Sequence, residues 1–308
     1  MREIAAAWTF RIRLDMKHRR HRTQASSAPK HVHDMTNQQP LLTAEAIWRR
    51  YDEVESRLTA PVSERMLDLC DLRPGMRVFD IATGRGEPAL GAARLVGPQG
   101  LVLGVDLSDA LLQMAREKAN REGLSNLDLR AGNAESTKDI PGDYFHAVTA
   151  RWGLMYMAAP VAALANARRA LLSGGILVAA FWAEPQRVPY FTLPRRLLER
   201  YRQLPIIDPE APGIFRYAEL GRIVRDLNQA GFVLEHVEEM ETAVFEAATA
   251  SELLAWVRAF GLTQLLQELP EKDRLAWEQE FIDAMELGRT GGLMSLGGVT
   301  RIVCARPM

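Results

Sequence analysis

The segment from Val78 to Leu90 combines residue types that suit binding of a nucleotide-like ligand. Gly84 and Gly86 stand where an apolar, strand-like run must turn sharply into a helix, and without a Cβ they let backbone amides approach a ligand closely. Asp106 ends the next strand-like run, 22 residues after Gly84, a spacing that suits a carboxylate accepting hydrogen bonds from ribose hydroxyls. The segment therefore predicts a site for a ligand that carries a ribose.

Two cofactor classes satisfy this pattern, because Gly84-x-Gly86-x-x-Ala89 also fits a relaxed dinucleotide fingerprint. Asp80 lies in the apolar run, where it would repel a pyrophosphate but could hold the amino group of a methionine moiety. Pro88 removes a backbone amide that a phosphate would use. Both residues favour S-adenosylmethionine, which has no phosphate. A dinucleotide, and a ligand-free fold in which Asp80 only bonds to the loop, remain as alternatives.

Strand-like and helix-like segments alternate around this motif. Apolar, strand-like runs lie at 78–81, 101–106, 127–131, 147–151 and 175–182, and helical patterns lie at 87–96, 108–122 and 159–172. Near-continuous apolar strands separated by helices are typical of a parallel sheet that is covered on both faces. The sequence thus predicts an α/β fold with a doubly wound sheet, and the strand carboxyl ends should carry the site.

Additional helices flank this sheet in the sequence. Within residues 42–72, an apolar stripe predicts one helix before Pro61 and a second, shorter helix after it. A helical insertion at 247–290 opens with a capping box, Thr249-Ala-Ser-Glu252. Further strands are expected before it, at 232–240, and after it, at 298–305. We expect residues 38–308 to form a single domain.

Composition excludes several classes of protein. The 308 residues are 47% hydrophobic and 25% charged, and no run approaches the roughly 18 uncharged apolar residues of a membrane helix. We therefore expect neither a disordered nor a membrane-inserted chain. Cys70 and Cys304 match no disulfide framework and no metal-ligand spacing, which favours a reducing cytoplasmic compartment and the absence of a metal site.

The amino-terminal segment differs from the rest in charge. Residues 1–34 hold eight Lys and Arg against three Asp and Glu, which leaves a net charge of +5 there and -6 in the remainder. We predict a disordered basic extension over residues 1–37, because the segment lacks apolar periodicity. A tail that binds metal or nucleic acid is one alternative, since four of the six histidines also lie here. A targeting peptide is another, since the segment is rich in Arg and poor in acidic residues.

The segment from Val78 to Leu90 resembles the cofactor motif of class I S-adenosylmethionine-dependent methyltransferases, in the branch that includes ubiquinone and menaquinone C-methyltransferases. The resemblance covers residues 60–183 strongly and the terminal strands weakly. It implies a Rossmann-like, seven-stranded sheet in the order 3-2-1-4-5-7-6, with strand 7 antiparallel. It also implies a transferase that uses S-adenosylmethionine and releases S-adenosylhomocysteine.

The resemblance assigns cofactor contacts to several residues. Asp106 would hold the ribose, and Leu107 would lie beside the adenine. The turn after strand three contains Asn133 at a position where an acidic residue is common, and its side-chain oxygen could accept from the adenine amine. The cofactor-binding residues implied in this way are Asp80, Ala82, Thr83, Gly84, Gly86, Asp106, Leu107, Asn133 and Ala134.

The segment after strand four should face the methyl group, because ligands bind at strand carboxyl ends in open α/β sheets. Its sequence, Trp152-Gly-Leu-Met-Tyr, departs from the Phe-Gly-Leu-Arg-Asn that is usual in the quinone enzymes, and Tyr51-Asp-Glu-Val-Glu departs from their Tyr-Asp-x-Met-Asn. A quinone acceptor is therefore disfavoured. The predicted substrate-binding residues are Arg151, Trp152, Tyr156 and Trp182.

Arg151 has two interpretations on the sequence alone. It would orient an anionic acceptor or stabilise a phenolate, or else it would form a salt bridge to Glu184 or Asp80. No dedicated general base stands out, since His146 and His236 are expected to be structural. The acceptor walls should come from the added helices and from aromatic residues, half of which we expect to be plain core. These residues are Trp48, Tyr51, Trp182, Tyr190, Phe191, Trp256, Phe260 and Trp277.

These features predict methyl transfer from S-adenosylmethionine to a small, largely apolar acceptor, with aromatic and polyketide-like compounds included, in cytoplasmic biosynthesis. We expect no nucleic-acid partner, because the chain has neither a base-flipping loop nor a basic patch with interleaved aromatics. Two alternatives belong to other classes. A dinucleotide-dependent reductase would be stabilised by NADPH, and a catalytically silent, methyltransferase-like partner protein would show no turnover.

Overall fold

The computed structural model describes residues 44–136, 139–260, 262–289 and 292–308. The basic extension predicted for residues 1–37 lies outside the described residues. The described part is built around one mixed sheet with helices on both faces.

Seven strands of the described chain form this sheet in the order β3-β2-β1-β4-β5-β7-β6. Their bounds are β1 Arg77–Ile81, β2 Leu101–Asp106, β3 Leu127–Ala131, β4 Phe145–Arg151, β5 Leu171–Trp182, β6 Phe232–Ala247 and β7 Met294–Pro307. The first five strands pair in parallel, whereas β7 is antiparallel to both β5 and β6. The predicted doubly wound architecture, strand order and antiparallel last strand are confirmed.

The helices of the described chain precede, separate and interrupt these strands. Their bounds are α1 Ala44–Leu69, α2 Ala89–Val96, α3 Asp109–Arg121, α4 Pro160–Ala170, α5 Pro189–Leu198, α6 Leu220–Gln229, α7 Ala250–Ala259, α8 Thr263–Gln267 and α9 Glu271–Leu287. Helices α7 to α9 lie between β6 and β7, and α7 opens with the predicted capping box of Thr249 and Glu252. No helix among the described residues is long and apolar enough to cross a membrane.

The amino-terminal region is one helix of 26 residues, α1, so the prediction of two helices around Pro61 is wrong. A proline inside a helix removes one backbone hydrogen bond and costs about 3 kcal/mol. Thr59, Val62 and Met66 are all fully buried on the two sides of this proline. Packing against the body of the protein therefore continues through Pro61 and offsets the local cost.

The position of Asp80 follows from the alternation of side chains along β1. Val78 packs in an apolar layer with residues of α1 and α2, whereas Phe79 and Ile81 pack in the larger layer on the opposite face of the sheet. Because successive strand residues point to opposite faces, Asp80 shares the face of Val78. Its carboxyl group therefore lies on the side of the sheet covered by α1 and α2.

Candidate active site

The loop between β1 and α2 has an unusual backbone. Ala82, Gly84 and Gly86 have φ angles of 55°, 53° and 106°, all in the left-handed region. Gly86 carries a second constraint, because a Cβ at this position would lie 2.6 Å from the Leu90 Cδ1 atom of α2. Only glycine combines this φ angle with such close packing on the following helix.

Asp106 joins this loop to the end of β2. Its Oδ2 atom accepts a hydrogen bond from the Gly84 amide at 2.8 Å, and its Oδ1 atom accepts from the Ser108 amide at 2.9 Å. Asp106 is 4% exposed, and this burial raises the pKa of its carboxyl group, while the two amides oppose the rise. A carboxylate has about four lone-pair positions, so each oxygen can still accept from a ribose hydroxyl.

A small cavity of about 50 Å³ opens at the carboxyl ends of β1, β2, β3 and β4. The cavity brings together six residues that the sequence analysis predicted, and its full lining is Ala82, Val105, Asp106, Leu107, Gly132, Asn133, Ala134, Glu135, Gly153, Tyr156 and Met157. Tyr156, a predicted acceptor residue, thus shares one cavity with the residues predicted to hold the adenosine.

The remaining predicted cofactor residues lie at the side of this cavity, in the loop and in β1. Asp80 is fully buried, and its Oδ1 atom accepts a hydrogen bond from the Thr149 hydroxyl of β4 at 2.6 Å. The Asp80 Oδ2 atom and the Thr83 hydroxyl are buried without a hydrogen-bond partner of ordinary geometry, and the nearby Thr83 hydroxyl acts to lower the pKa of Asp80. Burial raises the pKa of the Asp80 carboxyl to about 7. An ammonium group fits this arrangement, because it donates hydrogen bonds and favours the ionised carboxylate.

Arg151 does not form either of the salt bridges considered for it. Its Nη1 atom donates to the Thr59 hydroxyl of α1 at 2.8 Å, and its guanidinium lies 4.9 Å from the Trp152 ring centroid. Glu184 pairs instead with Arg301, at 2.7 Å. Burial lowers the pKa of Arg151, and nearby carboxylates, chiefly that of Glu55, oppose this. Arg151 therefore lies between β4 and α1, and it does not line the cavity.

The sequence analysis missed a buried ionic cluster between α1 and the glycine loop. Arg85, which stands between the two glycines, donates to the carboxylates of Asp52 and Glu55. Lys118 of α3 donates to Asp52 at 2.9 Å, and the Arg85 guanidinium lies 4.2 Å from the Trp48 ring centroid. Two carboxylates three residues apart on a helix signal such a cluster only weakly, because their partner lies elsewhere in the sequence.

Aromatic side chains form a continuous group beside the cavity, which we call the aromatic box. Trp152 stacks on Trp182, with ring centroids 4.8 Å apart and planes 4° from parallel. The ring centroids of Trp182 and Phe191 are 5.7 Å apart, and those of Trp256 of α7 and Tyr190 are 6.4 Å apart. The box comprises Trp48, Tyr51, Trp152, Trp182, Tyr190, Phe191, Phe245, Trp256 and Phe260.

One aromatic residue considered for the acceptor wall lies outside this group. Trp277 of α9 packs on Phe281 and donates its indole N–H to the Pro194 carbonyl at 3.1 Å. It is therefore core between α9 and α5, as the sequence analysis expected for part of the aromatic set.

The two histidines have structural contacts, as the sequence predicted. His146, at the start of β4, accepts the Arg77 amide on Nδ1 at 3.0 Å, and burial lowers its pKa. His236 on β6 is exposed and lies 2.9 Å from a Glu238 oxygen. Among the residues that the structure describes, no cluster of three or more His, Cys, Asp or Glu side chains could hold a metal ion.

Comparison with known proteins agrees with this geometry. A family model described as a methyltransferase domain matches residues 72–194. Nocamycin O-methyltransferase of Saccharothrix syringae is 30% identical over 241 residues, which are 73% of this chain and 83% of that protein. The ubiquinone/menaquinone biosynthesis C-methyltransferase UbiE of Serratia proteamaculans (strain 568) is 33% identical over 156 residues, which are 49% of this chain and 61% of that protein.

A solved structure shows the same fold. It is a Bacillus halodurans C-125 protein described as a candidate methyltransferase, which is 21% identical, has a TM-score of 0.53 and covers 80% of this chain and 99% of its own length. The relatives that match this chain are methyltransferases, and S-adenosylmethionine is the methyl donor of their class. The chain therefore belongs to the class I S-adenosylmethionine-dependent methyltransferases.

Proposed function

We propose that this methyltransferase acts on a small, largely apolar acceptor that is aromatic or polyketide-like, and that the aromatic box holds it. The observation that supports the proposal is that Trp152 of the box directly precedes Gly153 of the cavity wall. Gly153 and Tyr156 line the cavity, and Trp152, next to Gly153, stacks on Trp182 inside the box. Aromatic faces bind flat apolar molecules by burying their surface and by stacking.

We infer that the adenosine part of the cofactor occupies the cavity. Asp106 would bind the ribose hydroxyls, and Leu107, Asn133 and Ala134 would surround the adenine. The loop residues Ala82, Thr83, Gly84 and Gly86, with Asp80 behind them, would hold the methionine part. The bound cofactor would supply an electrophilic methyl group on a sulfonium.

The protein's contribution to the reaction is mainly positional. Methyl transfer is an in-line displacement in which the acceptor's nucleophilic atom bonds to the methyl carbon as the carbon–sulfur bond breaks, and the acceptor's proton passes to water. Orienting the two partners contributes effective molarities of order 10⁵ to 10⁸ M. Burial raises the pKa of Tyr156 and of Tyr190, so both hydroxyls stay protonated at neutral pH and can donate to the acceptor.

The acceptor side should include Arg151, Trp152, Tyr156 and Trp182. Arg151 would act without direct contact, because its charge lies between β4 and α1, stacked on the Trp152 ring. A cation in this place favours an acceptor that carries a partial negative charge. We infer a biosynthetic role in the cytoplasm, where the free thiols of Cys70 and Cys304 stay reduced.

A panel assay tests this proposal. The protein is incubated with S-adenosylmethionine and, separately, with phenols, amines and quinones, and S-adenosylhomocysteine formation is measured against a blank without acceptor. We expect turnover with flat phenolic or enolic compounds, and none with oligonucleotides. Binding of S-adenosylhomocysteine without turnover on any compound would support the silent-partner alternative instead. Thermal stabilisation by NADPH in place of S-adenosylhomocysteine would contradict the cofactor site.

A further inference from the structure

Arg85 connects the glycine loop to helix α1. It stands between Gly84 and Gly86, and its guanidinium donates through separate nitrogens to the carboxylates of Asp52 and Glu55 on α1. The three side chains are largely buried, with exposed fractions of 9% for Arg85, 16% for Asp52 and 7% for Glu55. Two charge-assisted bonds from one planar group restrict direction as well as distance. The loop and the helix are therefore held in one relative position.

The face of α1 that binds Arg85 also builds part of the aromatic box. Trp48 and Tyr51 each precede one of the two carboxylates by four residues, a spacing that places side chains on the same side of a helix. The Arg85 guanidinium lies 4.2 Å from the Trp48 ring centroid, and that centroid is 4.7 Å from the Phe260 centroid. The Tyr51 and Trp256 centroids are also 4.7 Å apart. A shift of α1 relative to the loop would therefore move the wall of the box.

The loop that carries Arg85 should become more rigid when a ligand binds to it. Gly84 and Gly86 have left-handed φ angles of 53° and 106°, and glycine is the residue with the greatest backbone freedom. The methionine part of the cofactor, which we place on this loop, would restrict that freedom. A ligand that restricts a segment lowers the entropy cost of a further contact made by the same segment. Bound cofactor would therefore strengthen the attachment of Arg85 to α1.

Helix α1 has a second ionic attachment, which does not involve the loop. Lys118 of α3 donates to the Asp52 carboxylate at 2.9 Å and to the Ser56 hydroxyl at 3.3 Å. Arg49 of α1 pairs with Glu117 of α3 at 2.9 Å. Because these bonds join two helices directly, their contribution to the docking of α1 should not depend on the cofactor. They provide a comparison for the attachment through Arg85.

We propose that Arg85 is a positioning residue that couples the docking of α1 to cofactor binding. This inference rests on the proposed function and deepens it, because α1 supplies Trp48 and Tyr51 to the box that holds the acceptor. The acceptor wall is then complete only when the cofactor is bound, and the acceptor binds second. This order keeps the acceptor from occupying the box before the methyl donor is in place.

Hydrogen exchange of the full-length chain, followed by mass spectrometry, tests this coupling without an acceptor. Peptides from residues 48–58 are compared with and without saturating S-adenosylhomocysteine. We expect the wild-type peptides to exchange at least about tenfold more slowly when the ligand is bound. The double variant Glu55→Gln/Arg85→Met removes both charges of one bond and leaves Asp52 paired with Lys118. Its response to the ligand should be less than about twofold.

Lys118→Met is the matched control, because it removes a charge that holds α1 but leaves the attachment to the loop. Its α1 peptides should exchange faster in both states and keep the wild-type response to the ligand. Arg85→Lys keeps the charge and can bond to one carboxylate at a time. It should respond less than the wild type, even if α1 of the double variant is open in both states. A purely structural ion pair would instead change both states equally.

The coupling is overturned if the wild type binds S-adenosylhomocysteine without slower exchange in α1, if Arg85→Lys or the double variant keeps the full response, or if Lys118→Met loses it. A full response in the double variant would mean that the ligand contacts α1 directly. Calorimetry with S-adenosylhomocysteine on the wild type separates these outcomes from failure of the proposed function. Absence of binding refutes the cofactor site and the coupling together, whereas binding without a response in α1 overturns the coupling alone.

Discussion

Replacing Asp80 with asparagine should change how the stability of this protein depends on pH. The ordinary pKa of the Asp side chain is 3.8, and burial raises that of Asp80 to about 7 in the folded protein. Between these values the folded state holds a proton that the unfolded state has lost. Wild-type stability should therefore fall as the pH rises toward 7 and then level off. The asparagine side chain has no charge to bury, so the variant lacks this fall.

The magnitude follows from the two pKa values. Between pH 5 and pH 8, the linkage relation gives a change of about 2.5 kcal/mol in the unfolding free energy that Asp80 contributes. We therefore expect the unfolding free energy of Asp80→Asn, relative to that of the wild type, to rise by this amount from pH 5 to pH 8. A cost of the amide that does not depend on pH leaves this change unaffected. Urea unfolding of both proteins at pH 5, 6, 7 and 8 measures the difference. Thr149→Val, which removes the donor to Asp80 Oδ1, should shift the levelling-off to a higher pH.

Cofactor binding should show the opposite trend in the wild type. An ammonium group at the unpartnered Oδ2 atom favours the ionised carboxylate, so the affinity for S-adenosylhomocysteine should rise about tenfold from pH 5.5 to pH 7. Binding by Asp80→Asn should be weaker and nearly independent of pH over the same range. A stability difference that does not vary with pH would refute the raised pKa. If the affinities of the wild type and of Asp80→Asn for S-adenosylhomocysteine depend on pH in the same way, the ammonium contact is refuted.

Three other predictions concern the site. Asp106→Ala should weaken S-adenosylhomocysteine binding, measured by calorimetry, by about 2–4 kcal/mol, because charge-assisted hydrogen bonds in a buried site are lost. Asp106→Asn should weaken binding less. Unchanged affinity in Asp106→Ala would show that Asp106 does not bind the ribose. Tyr156→Phe and Arg151→Met should each keep the cofactor Kd within about threefold and lower kcat/KM at least about tenfold. If the Kd of a variant rises as much as its kcat/KM falls, that residue contributes to cofactor binding and not to acceptor binding. Glu55→Gln should lower the unfolding free energy by about 3 kcal/mol, because it leaves the buried Arg85 with one carboxylate fewer. Adding Arg85→Met to this variant should restore part of the lost stability. If the losses of the two single variants simply add in the double variant, the two charges do not interact.

The sheet could be predicted because its signals are local. Each predicted strand overlaps an observed one, since apolar runs and Gly-rich turns identify strands without knowledge of their partners. The full length of β6 and β7 was not predictable in this way. They extend to Ala247 and back to Met294 because each strand pairs with the other along its whole length. Pairing between distant segments leaves no periodicity in either of them.

The same reasoning applies to the candidate site. Asp106 and Gly84 could be assigned to one cofactor site from sequence, since their spacing of 22 residues suits such a site. The hydrogen bond of 2.8 Å that joins them was not predicted. The partner of Arg85 could not be inferred, because Glu55 stands 30 residues earlier on a helix whose course through Pro61 depends on packing. The aromatic box depends on contacts between still more distant segments, such as that between Tyr51 and Trp256.

Two of the four non-glycine residues with a left-handed backbone in the described chain lie where β1 and β4 end. Ala82 and Trp152, at the ends of the adjacent strands β1 and β4, have φ angles of 55° and 52°, which cost energy for residues with side chains. Gly153 lies so close to this turn that a Cβ on it would stand 2.4 Å from the Ala82 Cβ. The two strand ends can approach this closely only because position 153 has no side chain. Under the proposed function, their separation would set the distance between a cofactor in the cavity and an acceptor in the box, and in-line transfer requires the reacting atoms to be about 3–3.5 Å apart. On that proposal, the strained turns are the part of the fold that would hold the two ligands at reacting distance.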